Sequence, residues 1–249
     1  MSRHLLIFLT LIACSFCINH DKLFDEANNF YIKENYKKSI ELYELIIESG
    51  KKNSAVFYNL GNSYYRLQDI GHAIWAYRIA NRLNPRDEDI LYNLKIAEAN
   101  KIDRINSPPL FMILDFYRKI KSSFTIFESV LLGGFLFLFF SLMWIKQSFS
   151  GNRNGFSKNI FQILLALIII VHVFIVDMIF QKKKISNEAI VVEKIKAQSG
   201  PFFGDNKILF QINKGSVVEV LEEKNDWSEI ILIDGKRGWV LSTSLRKMI

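Results

Sequence analysis

Cysteine and histidine, the residue types that most often carry redox, nucleophilic or metal chemistry, are few in this chain and widely scattered. Both cysteines, Cys14 and Cys17, lie near the N-terminus, and the four histidines are spread over the first 172 residues. The chain has no H-E-x-x-H zinc motif, no G-x-S-x-G nucleophile elbow and no G-x-x-x-x-G-K-[ST] phosphate loop. We therefore predict no catalytic residues, no metal site and no cofactor, and expect that the protein is not an enzyme.

The two cysteines belong to a segment with the plan of an export signal. A basic residue precedes a short apolar run, residues 5–13, and small and polar residues follow. The run is too short to cross a bilayer, which takes about 20 residues. The residues L-I-A-C, ending at Cys14, resemble a lipoprotein box, so two outcomes stay open: acylation of Cys14, or cleavage near Ser15 or Cys17. We assign residues 1–19 to a signal peptide.

Asparagine and aromatic side chains can bind a ligand without covalent chemistry, through hydrogen bonds and stacking. Many of them lie in a repeat: Tyr58-Asn59-Leu60 recurs as Tyr92-Asn93-Leu94, and a weaker copy precedes it. This spacing, with small residues where helices must approach closely, resembles that of tetratricopeptide repeats, antiparallel helical hairpins with a unit of about 34 residues. Residues 20–100 are therefore expected to form an all-α repeat domain.

In tetratricopeptide arrays the first helix of each unit lines the concave face. The resemblance implies a groove for an extended peptide or a partner helix. Eight residues are expected to project there: Asn28, Tyr58, Asn59, Asn62, Tyr65, Arg66, Tyr92 and Asn93. For Asn59, Asn62 and Arg66 the alternative is plain solvated surface, and Tyr64 and Tyr77 are expected to pack in the core.

Two later apolar runs are long enough to cross a membrane. Residues 124–145 and 161–181 are predicted transmembrane helices, joined by a basic loop at 146–160. A linker, 101–123, precedes them and contains an amphipathic segment. Asp177 in the second run is expected either to reach the membrane surface or, with His172, to contact a partner's transmembrane helix.

The orientation of these helices rests on two opposed signals. The export signal places the repeat domain and the C-terminal region outside the cytoplasm, with the loop inside. Basic clusters outside the two runs, at 118–121 and 182–184, would favour the reverse. We let the export signal decide, because it acts first and long soluble domains translocate largely regardless of charge. The prediction is a multi-pass protein of the bacterial inner membrane with both soluble domains in the periplasm.

The C-terminal residues 187–249 have a third pattern, with short β-rich runs separated by turn signals such as Asp234-Gly235. The order of its glycines, aspartates and tryptophans, ending in Gly238-Trp239-Val240, resembles a bacterial SH3 domain, a small all-β barrel. Such domains bind peptides or cell-wall material. A binding face is expected to contain Phe202, Phe203 and Trp227, whereas Trp239 is expected to support the barrel.

The order of these parts, a signal, helical repeats, two membrane spans and an SH3-like domain, resembles the E-type protein of the Bacteroides aerotolerance (Bat) operon. That resemblance implies a non-enzymatic membrane scaffold in stress tolerance, with von Willebrand factor A domain proteins and a MoxR-type ATPase as partners. The alternative is an accessory protein that binds peptidoglycan through the SH3-like domain. We expect no nucleic-acid partner, because the net charge of +7 is spread along the chain rather than concentrated on one segment.

Overall fold

Within the part of the chain that the structure describes, helices occupy the N-terminal part and a β-sheet follows them. The computed structural model describes residues 20–103, 112–150, 155–185, 187–204 and 206–248, with the backbone alone for 150, 155–158 and 182–185. The predicted signal peptide, the acylation of Cys14 and the prolines of the linker lie outside the described residues.

Five helices form the first domain, which we call the helical domain: α1 His20–Ile32, α2 Tyr36–Glu48, α3 Ser54–Arg66, α4 Ile70–Leu83 and α5 Glu88–Ala99. The first helices of the hairpins, α1, α3 and α5, begin at equal intervals along the chain, and the same interval separates the starts of α2 and α4. The capping residues of these helices recur at the same interval. Asn35 and Asp69 accept a main-chain hydrogen bond at the starts of α2 and α4, and Asn53 and Asp87 do so at α3 and α5.

Small residues allow these helices to pack closely. Ala27, Gly61, Ala73 and Ala80 are all buried. A Cβ atom at Gly61 would lie only 2.7 Å from the ring of Tyr77, so glycine at this position makes room for the aromatic ring. The expected close approach of small residues and aromatics therefore holds in the core of the helical domain.

Three further helices follow: α6 Met112–Ser123, α7 Ile126–Ser150 and α8 Gly155–Ile185. Within α7 and α8, the stretches Ile126–Phe149 and Asn159–Gln181 are apolar and long enough to cross a membrane. The two helices pack side by side, with Ser129 Oγ 3.4 Å from Met178 Sδ. Helix α7 extends into the segment expected to be loop, because no proline or glycine interrupts the chain between residues 146 and 150.

Seven strands form one antiparallel sheet in the C-terminal domain. They are β1 Glu188–Val191, β2 Ile195–Gln198, β3 Ile208–Ile212, β4 Val217–Lys224, β5 Trp227–Ile231, β6 Arg237–Leu241 and β7 Leu245–Lys247. The order across the sheet is β3-β2-β6-β5-β4-β1-β7, and a 3-10 turn, Ser242–Ser244, precedes β7. The hairpin at Asp234-Gly235 is present as expected, with Gly235 at φ 87°.

Strand β2 has no counterpart among the strands expected from the sequence. It contains Ile195, Lys196, Ala197 and Gln198, and only Ala197 is buried. A strand with one buried side chain gives almost no alternation of apolar and polar residues, so its pairing with β3 and β6 defines it rather than its composition.

Candidate binding surfaces

The first helices of the helical hairpins lie next to each other and are joined by side-chain hydrogen bonds. Asn59 Nδ2 of α3 donates to Asn28 Oδ1 of α1 over 2.9 Å, and Asn93 Nδ2 of α5 donates to Asn62 Oδ1 of α3 over 3.0 Å. The two pairs are the same contact displaced by one repeat. A row of amide groups therefore runs across α1, α3 and α5.

Tyrosines from the second helices complete each pair. The hydroxyl of Tyr43 donates to Asn28 Oδ1, and that of Tyr77 donates to Asn62 Oδ1. We call Asn28, Tyr43 and Asn59, together with Asn62, Tyr77 and Asn93, the amide clusters. Burial raises the pKa of Tyr43 to about 12, so its hydroxyl stays protonated and remains a donor at neutral pH.

The amide clusters present side-chain N–H groups from two residues: Asn28 Nδ2, which makes no hydrogen bond to another described residue, and Asn62 Nδ2, which keeps one of its two N–H groups when the other bonds Tyr58. The Oδ1 atoms of Asn28 and Asn62 are each taken by two donors, which fixes both side-chain amides in orientation. Both side chains are half-buried. Asn62 also hydrogen-bonds the hydroxyl of Tyr58. This bond partly offsets the rise in the pKa of Tyr58 that burial causes. Such preorganised N–H groups suit the carbonyl oxygens of an extended peptide.

The other expected groove residues make fewer hydrogen bonds to this row of amide groups. Tyr58 accepts a hydrogen bond from Asn93 Nδ2, Tyr65 accepts one from Asn100, and Arg66 Nε lies 3.4 Å from the hydroxyl of Tyr31. Tyr92 is two-thirds exposed, and no hydrogen bond within the described residues links it to the others.

The sequence does not indicate that the hydroxyls of Tyr43 and Tyr77 bond to the amide groups of this surface. It predicts Tyr77 only as a core residue. Both rings are buried, as expected of core residues, and only their hydroxyls reach the amide groups. The recurrence of the whole cluster one repeat later is the signal that could have revealed their part.

The aromatic residues of the C-terminal domain divide into exposed and buried ones. Phe202 and Phe203, in the connection between β2 and β3, are 57% and 76% exposed, whereas Trp227 is only 4% exposed. The ring of Phe203 packs edge-on against Trp227 with centroids 5.1 Å apart. Trp227 therefore packs under the exposed ring of Phe203 and offers little contact area of its own, and Trp239 is half-buried in β6.

The C-terminal domain is docked on the helical domain, a contact that the sequence did not indicate. Trp75 of α4 donates its indole N–H to the carbonyl oxygen of Lys247 over 2.9 Å. The guanidinium of Arg246 lies 4.1 Å above the Trp75 ring and forms an ion pair with Glu44 of α2. Ile190 and Met248 are buried in the core of the helical domain. We call this contact the docking interface.

Two glycines bring the backbones together at the docking interface. A Cβ atom at Gly71 of α4 would lie 2.8 Å from Cα of Val192, and one at Gly215 would lie 2.7 Å from Ile74. Gly215 also has φ 85°, which disfavours other residues. Glycine is therefore required on both sides of the contact.

Asp103 secures the edge of the docking interface. Its carboxylate accepts hydrogen bonds from the main-chain N–H of Asn213 (2.7 Å), the side-chain amide of Asn213 (2.8 Å) and the hydroxyl of Ser216 (3.1 Å). Partial burial alone would raise the pKa of Asp103, but the three hydrogen bonds outweigh it and lower the pKa below its usual value of 3.8.

We predict that this cluster makes docking sensitive to acid. Because the pKa of Asp103 is lower in the folded than in the unfolded state, its contribution is present above about pH 4 and is lost as the pH falls through the folded value. Asp103→Asn should cost roughly 1–3 kcal/mol at neutral pH, since one acceptor oxygen is replaced by a donor facing Asn213. Chemical unfolding at neutral and acidic pH measures this. Asp25→Asn, an exposed position on α1, is the control; equal effects at both positions would contradict the prediction.

Polar contacts join the helical domain to the beginning of α7. Arg86 forms an ion pair with Glu128 over 2.9 Å and donates to the carbonyl oxygen of Ser123. On α8, Asp177 is paired with Lys121 of α6. His172 Nδ1 lies 2.7 Å from the carbonyl oxygen of Ile168 in its own helix.

The residues described by the structure contain no group of three or more histidine, cysteine, aspartate or glutamate side chains that could hold a metal ion. Residues 204–246 match the bacterial SH3 domain family. The match runs from β3 into β7, and the SH3 domain of this chain also includes β1 and β2 in the same sheet. Among curated proteins, none matches this sequence. Bacterial SH3 domains bind protein or peptidoglycan, and the match therefore suggests a partner of one of these two kinds for the C-terminal domain.

Proposed function

We propose that the protein is a membrane-anchored, non-enzymatic adaptor, in which a helical domain of tetratricopeptide type binds an extended peptide while the SH3 domain binds a second partner. The amide clusters carry this proposal. They repeat with the helices and present two oriented N–H donors, Asn28 Nδ2 and Asn62 Nδ2, on one surface. A ligand with regularly spaced carbonyl groups, such as an extended chain, can use both.

The docking interface supports the adaptor function because it holds the two binding surfaces in a fixed relation. It also requires both domains to lie on the same side of a membrane, and two spans between them satisfy that requirement. The ion pair of Arg86 with Glu128 links this body to the start of the first span. We propose the inner membrane as the location and the periplasm as the side, following the export signal.

The resemblance in domain order to the E-type Bat protein supplies a proposal for the partners. These are membrane proteins with von Willebrand factor A domains and a MoxR-type ATPase, acting together in stress tolerance. The adaptor function itself does not depend on their identity.

Exchanging Asn28 and Asn62 for aspartate tests the peptide surface. Asn28→Asp with Asn62→Asp keeps the Oδ1 acceptors that Tyr43 and Tyr77 use, so the fold should persist, but replaces each oriented N–H donor by an oxygen. Proteins that co-purify with the full chain in mild detergent are expected to fall at least tenfold, the loss expected for two unmatched hydrogen bonds.

Asn29→Asp is the matched control for each exchange, because Asn29 is exposed on α1 beside Asn28 and adds one negative charge, as each of the two exchanges does. Co-purification of the same partners, in the same amounts, with the double variant would refute peptide binding at the amide clusters.

Binding of peptidoglycan by the SH3 domain is the second candidate, and the exposed pair Phe202 and Phe203 favours it. Aromatic rings exposed side by side on a loop suit stacking against sugar rings. Sedimentation of the solubilised protein with purified peptidoglycan, lost on changing both phenylalanines to serine, would support this candidate. Sedimentation that does not change would leave the adaptor function as the better explanation.

A further inference from the structure

Helix α6 has an apolar face that no described residue covers. Met112, Ile113 and Phe116 are 86%, 78% and 65% exposed, and Ile120 continues the same side one turn later. The other side carries Asp115, Arg118 and Ser122, and Lys119 lies where the two sides meet. A helix with one apolar and one basic side is the type that lies in a membrane surface.

The contacts of α6 place it at the depth expected for such a helix. Tyr117 donates its hydroxyl to Asp177 of α8 over 2.6 Å, and its ring packs against Phe174. Asp177 lies four residues before Gln181, where the apolar stretch ends, which corresponds to about 6 Å along the helix axis. Surface helices bury their apolar face about 5–10 Å into the headgroup boundary. The contact of α6 with Asp177 falls within this range of depths.

One cation of α6 has no partner within the described part of the chain. Lys119 pairs with Asp115 and Lys121 pairs with Asp177, whereas Arg118 has no described ion pair or hydrogen bond. Arg118 lines a cleft of about 450 Å³ between α6 and the end of α8. Apolar walls from Leu114 and Phe180 line the same cleft. The carboxylate of Asp177 is already neutralised by Lys121, so the field in the cleft favours an anion.

We propose that α6 is an interfacial membrane helix and that its cleft with α8 binds an anionic phospholipid, whose headgroup phosphate pairs with Arg118 while its acyl chains contact Leu114 and Phe180. Guanidinium groups bind phosphate through two parallel hydrogen bonds, and an acyl chain needs the apolar wall that a free phosphate does not. The proposal is independent of what the amide clusters or the SH3 domain bind.

Retention of lipid by the purified protein tests the cleft. The full chain is reconstituted in vesicles of phosphatidylcholine and phosphatidylglycerol, extracted in mild detergent, and the lipid bound per protein is measured. Arg118→Gln is expected to lower bound phosphatidylglycerol about fivefold, the loss for one basic residue at an anionic surface, and to leave phosphatidylcholine unchanged.

Lys119→Gln is the matched control, since it makes the same change of charge one residue away on the side turned from the cleft. Equal loss of phosphatidylglycerol in both variants, or no loss in Arg118→Gln, overturns the lipid site. Displacement of the lipid from the wild-type protein by inorganic phosphate would assign the cleft to free phosphate and overturn it as well.

A fluorophore reports the depth of α6 separately. In a chain with Cys14→Ser and Cys17→Ser, a label on Ile113→Cys is expected to be quenched by brominated acyl chains, whereas one on Ser122→Cys, which lies on the opposite side of the helix, is expected to stay accessible to aqueous iodide. Quenching of both labels by iodide alone would overturn the interfacial position.

Discussion

Trp75→Ala is expected to lower the free energy of unfolding of the helical and SH3 domains by about 3–5 kcal/mol, as for other buried tryptophans. Trp75 is 1% exposed and packs edge-on against Phe57. Its removal leaves a cavity in α4, an unpaired carbonyl oxygen at Lys247 and a guanidinium at Arg246 that has lost its aromatic partner. The SH3 domain should therefore undock as well as lose stability.

Thermal unfolding followed by circular dichroism measures the loss of stability, and amide hydrogen exchange in α4 and β7 measures undocking. Trp75→Phe separates the two contributions in part, because it retains one buried aromatic ring while it removes the indole N–H and the rest of the indole. It should cost about 1–2 kcal/mol. A loss for Trp75→Ala no larger than that for Trp75→Phe would show that burial of the ring at the docking interface contributes little.

Gly71→Ala is expected to destabilise the protein although alanine is the better helix former. In an exposed helix this exchange stabilises by about 1 kcal/mol. Here the new Cβ would lie 2.8 Å from Cα of Val192 and 2.9 Å from the carbonyl oxygen of Val191, at the end of β1. These are backbone atoms that cannot rotate away, so the SH3 domain must move. Overpacking of this kind costs roughly 1–3 kcal/mol.

Removal of residues 187–249 provides the control for Gly71→Ala. Without the opposing backbone only helix propensity remains, so the same substitution should raise the melting temperature of the shortened chain and lower that of the full chain. A change of the same sign in both chains would contradict the steric argument.

The repeating features of the helical domain could be predicted from the sequence because they depend on local patterns. Small residues such as Gly61 and Ala73 and the recurrence of Tyr58-Asn59 mark helices that begin one repeat apart. The apolar runs of α7 and α8 are equally local signals. The SH3 domain was anticipated from its turns, and its family match covers residues 204–246.

The docking interface could not be predicted in this way, because its residues are far apart in sequence and individually ordinary. Trp75 and Ile190 each look like core residues of their own domains, and Asp103 looks like part of a linker. Only the pairing of surfaces of complementary shape, with glycine on both sides, distinguishes them. Strand β2 could not be predicted for a related reason. Its position is set by the neighbouring strands and not by an alternation of apolar and polar residues in its own sequence.

The hydrogen bond between Trp75 and Lys247 joins residues 172 positions apart, so it can form only after almost the whole chain has been synthesised. At about 5–20 residues per second, the ribosome completes β7 roughly 10–30 s after it has synthesised α4. Throughout that interval the side of α4 that carries Trp75 lacks its cover. Both predicted spans must also be threaded before the last strand can arrive. Newly made helical domain is therefore an expected client for chaperones until the final residues are in place, and chains with premature stop codons after α8 should be degraded preferentially.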